Sequence, residues 1–112
     1  MKEKNVFIIG SKGIPSNYGG YETFVENLTF YKKSENIKYH IACIGDKEEI
    51  YEHNKARCFK IKVPNIGPAK AIIYDLKAIK SSIKYIRENK IEDAIIYILA
   101  CRIGPFLGHY KN

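Results

Sequence analysis

The chain has 112 residues, 46% apolar and 28% charged, with a formal net charge of +7. That length fits one domain or a piece of one, and the composition is that of a packed globular unit, with no low-complexity tract and no internal repeat. The basic balance suits an anionic partner, but no nucleic-acid motif is present and the tyrosines are scattered rather than set as a stacking platform, so nucleic acid is set aside in favour of an anionic membrane surface or a phosphorylated substrate.

The amino-terminal residues Met1–Asn5 lead into an apolar run, Val6-Phe7-Ile8-Ile9. A secretory signal needs an apolar core of ~7–15 residues, and a spanning helix needs ~20. Neither is present, and a cytoplasmic protein is expected. Lys4–Ile9 reads as a first strand, and residues 10–20 as a glycine-rich loop. From Tyr21 the apolar positions Tyr21, Phe24, Val25, Leu28 and Tyr31 keep the one-face spacing of an amphipathic helix, ended by Lys32, Lys33 and Asn36. Ile37–Ile44 is a second strand, followed by the charged turn Gly45–Glu49. Residues 50–57 favour no element. Cys58–Val63 alternates strictly, which predicts a third strand with Lys60 and Lys62 on its wet face.

Pro64-Asn65-Ile66-Gly67-Pro68 interrupts the chain, and a second helix is predicted from Ala69 to Arg87. Its apolar stripe is Ile72, Leu76, Ile79, Ile83 and Ile86, and Lys70, Lys77, Lys80, Lys84 and Arg87 fall in one quadrant beside it. Ala94–Leu99 is continuously apolar, as in a parallel strand covered on both faces. Gly104-Pro105-Phe106-Leu107 would begin another helix. The order βαβ-βαβ with right-handed crossovers predicts an α/β fold: a Rossmann-like, mainly parallel sheet of about four strands with helices on both faces.

The loop after the first strand holds the most specific signal. Its residues are Gly10-Ser11-Lys12-Gly13-Ile14-Pro15-Ser16-Asn17-Tyr18-Gly19-Gly20-Tyr21-Glu22-Thr23. A strand, a glycine-rich turn and a helix N-terminus offer free N–H groups and a positive dipole end to a phosphate. The spacing matches neither a Walker A loop nor the G-x-G-x-x-G fingerprint. A loop that merely turns the chain fits the same pattern.

The longer pattern Lys-Gly-Ile-Pro-x-x-Tyr-Gly-Gly-x-Glu-Thr-x-x-Glu-x-Leu resembles the start of bacterial β-1,4-rhamnosyltransferases of capsule and cell-wall synthesis, within glycosyltransferase family 4 and its GT-B fold. The resemblance continues through Val63–Ala71 and Ile98–Phe106. It implies that residues 1–112 are part of the amino-terminal, acceptor-side domain, without the carboxyl-terminal donor-binding domain. Such a chain is expected to be inactive alone. The implied partners are a nucleotide-sugar donor such as dTDP-rhamnose, a lipid-linked saccharide acceptor and the anionic inner face of the bacterial plasma membrane.

Carried over by motif, Gly19 and Gly20 face the donor diphosphate and Gly13 shapes the loop. Lys12 would add a positive charge, and Arg102, at the carboxyl end of the fourth strand, would reach the same cleft. Fixed donors and cations of this kind stabilise a departing diphosphate. Glu22 is a candidate sugar-hydroxyl acceptor, although Glu22 and Glu26 also simply complement the helix dipole. Lys70, Lys77, Lys80, Lys84 and Arg87 are candidates for contact with anionic lipid, and otherwise form a solvated face. No catalytic residue is assigned. His40, His53 and His109 read as structural or solvated. Cys43, Cys58 and Cys101 lie in apolar runs without a C-x-x-C, which argues for reduced, buried thiols and no metal site. No cofactor is called for. Two other classes fit the residues: a stand-alone nucleotide- or dinucleotide-binding module with Asp46 on a ribose, and a non-catalytic remnant.

Overall fold

The computed structural model describes residues 3–11, 13, 20–33, 35–64 and 67–99. Its elements in order are β1 (Lys4–Ile9), α1 (Gly20–Phe30), β2 (Ile37–Gly45), β3 (Glu49–His53), β4 (Ala56–Lys62), a 3-10 turn (Gly67–Ala69), α2 (Lys70–Glu88) and β5 (Ala94–Ile98). They form one five-stranded sheet in the order β3-β4-β2-β1-β5. β1 pairs in parallel with both β2 and β5, β2 pairs in parallel with β4, and only β3 is antiparallel. The sequence-based fold class stands: a mainly parallel α/β sheet of Rossmann-like kind.

The difference is the extra strand. β3 and β4 form a hairpin closed by Asn54 and Lys55, at φ 52° and 63°. Two-residue hairpin turns of this type need positive φ at both central positions. Asn tolerates that region, whereas Lys does so at a cost, so the sequence carries no Asn-Gly signal and residues 50–57 stay ambiguous on pattern alone.

The helices cover opposite faces. On one face Val25 of α1 is buried with Ile8, Ile41, Cys43 and Cys58. On the other, Tyr74 and Ala78 of α2 are buried with Ile9, Ala42, Phe59 and Ile61. Phe7, Ile9 and Ile41 are completely buried. β1, flanked by β2 and β5, reads as an unbroken apolar run for that reason.

The phase of α2 corrects the sequence reading. Its buried residues are Tyr74, Asp75, Ala78 and Ser82. Ile72, Leu76 and Ile83, expected to face the core, remain 41%, 51% and 42% exposed. Over Phe7 and Phe59 of the sheet the helix buries the small Ala78 and Ser82 together with the larger Tyr74. The Ser82 hydroxyl is satisfied within the helix, donating to the Ala78 carbonyl at 2.8 Å. In α1, Val25 and Thr29 are buried and Leu28 packs against the core, whereas Phe24 is exposed, as is Tyr31 just past the helix.

α2 ends at Asn89, and Lys90 turns left-handed at φ 52°. The Ile91 N–H then donates to the Ile86 carbonyl at 3.0 Å, a Schellman closure made with lysine in the usual glycine place.

Candidate ligand-binding edge

The carboxyl ends of β1, β2, β4 and β5 lie along one edge of the sheet, because these strands are parallel. α1 and α2 both begin at that edge, so two helix N-termini point their positive ends toward it. The chain runs from β1 to β2 in one direction and from β4 back across to β5 in the other. The reversal falls between β1 and β5. In open α/β sheets that crevice is where ligands bind.

The segment leaving β1 enters this crevice. Gly10 and Gly13 both have φ of 118°, a conformation that disfavours L side chains. A Cβ on Gly13 would lie 2.6 Å from Cys43 Cβ and 2.7 Å from Cys43 Sγ. Glycine is therefore required twice at residue 13, for its backbone angle and for contact with β2.

Between the two glycines, Ser11 is fully buried. Its carbonyl accepts a 2.8 Å hydrogen bond from the Tyr74 hydroxyl, which ties the β1 loop to α2. The Ser11 hydroxyl has no hydrogen-bond partner among the described residues. A buried, unsatisfied hydroxyl is uncommon and marks a place where a further polar group is accommodated. β5 closes the other side of the crevice, where the Leu99 N–H donates to the Ile9 carbonyl at 2.8 Å.

Glu22 is half-buried in the first turn of α1. Gly20 opens that helix. Lys12, Gly19 and Arg102 lie outside the described residues, as do Cys101, His109 and the helix anticipated at residue 104. Asp46 is exposed just beyond the carboxyl end of β2, on the ligand edge. A shallow recess of about 460 Å³ lies farther along that edge, lined by Lys47, Glu48, Lys62, Pro64 and Lys77. There the Lys77 ammonium donates to the Lys62 carbonyl at 3.1 Å.

The histidines and cysteines belong to the framework. His40 is completely buried, stacked on Phe7 at 4.2 Å between ring centroids. Its Nε2 bonds Asn5 Oδ1 at 2.8 Å. Burial, helped by the nearby Arg57 and Lys38 charges, lowers its pKa to about 3, so it stays neutral. Arg57 lies over the Tyr85 ring at 3.8 Å, and its guanidinium is held there without an ion pair among the described residues. His53 Nε2 lies 2.7 Å from Glu26 Oε2, which also accepts from Asn54 Nδ2 at 2.6 Å. That cluster sits at the hairpin turn, on the opposite edge from the crevice, and it fastens α1 to the hairpin. Cys43 and Cys58 are buried free thiols. The hydrogen bond with Cys43, then burial, pushes the Cys58 thiol well above its ordinary value, which leaves it unreactive. No group of three metal-ligating side chains occurs among the described residues.

Sequence reasoning located the loop but missed Ser11 and Tyr74 as its anchors. Ser11 lay within the motif and carried no separate signal. Tyr74 was hidden by the misread phase of α2.

Fold and edge define an α/β domain with a glycine-built crevice at a switch point in strand order. The chain matches the family described as Domain of unknown function (DUF1972) over residues 3–112, and it belongs to that family. Comparison with curated proteins and with solved structures returned no match to the chain.

Proposed function

We propose that this chain forms the amino-terminal, acceptor-side part of a GT-B glycosyltransferase, moving a sugar, rhamnose in the enzymes it resembles, from a nucleotide-sugar donor to a lipid-linked saccharide. The observation that carries the reading is where its most specific motif falls. The glycine loop that resembles the rhamnosyltransferase signature leaves β1 at the switch point of a parallel sheet, with two glycines at positive φ and a helix N-terminus following.

In this reading the leaving diphosphate departs against the loop N–H groups and the start of α1. Gly19, Gly20 and Gly13 keep side chains out of the way, and Lys12 and Arg102 supply charge. Such preorganised donors act on charge that develops in the transition state. Glu22 is the proposed acceptor of a sugar hydroxyl. The remaining donor contacts come from a second domain.

The test uses an enzyme that carries this sequence as its amino-terminal part. Valine is compatible with the first helical turn, so Gly20→Val is expected to fold, with circular dichroism as the check. Its side chain obstructs close approach of the diphosphate to the loop N–H groups, and kcat is expected to fall by ~10²–10³, as it does where such a donor is put out of reach. A folded variant with near-parental kcat rejects the loop as the diphosphate site. The dinucleotide-module reading is favoured only by the position of Asp46 at the end of β2. Saturable binding of NAD that Asp46→Ala abolishes would select it instead.

A further inference from the structure

α2 leaves an apolar row and a cationic row outside the core. Asp75 and Ser82 are fully buried, whereas Ile72, Leu76 and Ile83 are each at least two-fifths exposed. The exposed apolar residues recur at i, i+4 and i+11, with the half-buried Ile79 completing one row along the helix. Lys77, Lys80, Lys84 and Arg87 recur at i, i+3, i+7 and i+10 and form a second row beside it, all exposed. A shallow cleft of about 600 Å³ runs between the rows, lined by Leu76, Ile79, Lys80, Ile83 and Lys84. None of the four cations is in an ion pair among the described residues, where the pairs are His53–Glu26 and Lys60–Glu49. Asp75, the acidic residue nearest the helix start, is buried, which leaves Glu88 at the far end as the helix's one exposed carboxylate.

We infer that this face of α2 lies on an anionic lipid surface, with the helix axis in the plane of the membrane. An apolar row flanked by lysines and arginine is the arrangement of a helix that sits in the headgroup layer, its isoleucines and leucine at the acyl boundary and its cations on the phosphates. Uncompensated charge decides the occupant. A row of four cations without a carboxylate partner among the described residues meets a continuous anionic surface at every position, whereas a polypeptide would have to match each one with a carboxylate. The inference goes beyond the proposed transfer activity and needs neither the glycine loop nor a donor. No helix of the described residues is long and apolar enough to cross a membrane, so contact of this kind is lateral.

The experiment is co-sedimentation of the chain with vesicles of phosphatidylcholine alone and of phosphatidylcholine with phosphatidylglycerol at three to one. Binding is expected to the anionic vesicles only and to weaken as salt is raised. Each neutralised cation should lower the partition coefficient about five-fold. Lys80→Gln/Lys84→Gln should therefore lose roughly 25-fold, and Leu76→Ser/Ile83→Ser should lose about ten-fold or more at constant charge. Both pairs change exposed positions, and unchanged circular dichroism confirms the fold. A chain that ignores anionic vesicles, or whose binding survives both pairs, overturns the inference. Self-association abolished by Leu76→Ser/Ile83→Ser, with vesicles ignored, would assign the face to a polypeptide instead.

Discussion

Replacing Gly13 with alanine probes how firmly the glycine loop is indexed to the sheet. Two costs add. The new side chain must adopt φ near 118°, a strained region worth ~1–3 kcal/mol. Its Cβ must also find room where Cys43 Cβ lies at 2.6 Å and Sγ at 2.7 Å, an overpacking of ~1–3 kcal/mol. The sum of roughly 2–6 kcal/mol is a large share of the ~5–15 kcal/mol that holds a domain folded. Urea denaturation followed by circular dichroism should show the midpoint falling by about 1 M or more. The partner substitution separates the two parts. Cys43→Gly removes both contacted atoms, so the double variant should recover the steric part, a coupling of ~1–3 kcal/mol, and keep the backbone strain. Cys43→Ala leaves the Cβ–Cβ conflict in place and should recover little. A Gly13→Ala chain within ~0.5 kcal/mol of the parent, or strict additivity with Cys43→Gly, refutes the reasoning.

Two further outcomes test the framework. His40 is neutral in the fold with its pKa lowered to about 3, while the unfolded chain takes up a proton near 6.5, so stability should fall as pH drops from about 6.5 toward 3. The slope contributed is at most ~1.4 kcal/mol per pH unit, and it should be absent in His40→Gln; equal urea midpoint shifts for parent and variant between pH 7 and 5 would reject the assignment. Glu26→Ala removes the carboxylate shared by His53 and Asn54, leaving Asn54 its bond to Thr29 Oγ1, and should cost ~1–3 kcal/mol with faster amide exchange at the hairpin turn. Unaltered exchange at residues 53–55 would mean that the hairpin is held by its ladder alone.

The sequence announces those parts of the fold whose chemistry is local. β1, β2 and β5 are apolar runs of strand length, and both helix starts, at Gly20 and Lys70, follow loops rich in glycine or proline. The β3–β4 hairpin is silent because its turn uses Asn54-Lys55, whose left-handed backbone is imposed by the strands rather than invited by a glycine. The orientation of α2 is silent for a different reason. Periodicity identifies the apolar side of a helix but not what that side meets. Here the side of α2 that meets the sheet carries Tyr74, Ala78 and Ser82, and which side that is depends on the sheet. At the ligand edge the same division holds. Gly10 and Gly13 are legible as glycines, whereas the hydrogen bond from Tyr74 to Ser11 joins residues 63 apart and has no local trace.

The two margins of the sheet differ in kind. β3, at one end, reads Glu-Ile-Tyr-Glu-His and keeps charge along its length. β5, at the other, reads Ala-Ile-Ile-Tyr-Ile with no charge, and Ile95 and Tyr97 are 43% and 60% exposed. Charged edges resist adding another strand, and uncharged apolar ones invite it. Among the described residues, β5 is therefore the margin more open to a further strand. A strand of the same chain added to it in parallel would have to return by a right-handed crossover, which places the connecting helix on the same side of the sheet as α2. At high concentration, with nothing of that kind present, the same margin becomes the seed of aggregation. Ile95→Lys, at a partly exposed position beside Val6 of β1, is the one-residue change that blunts it.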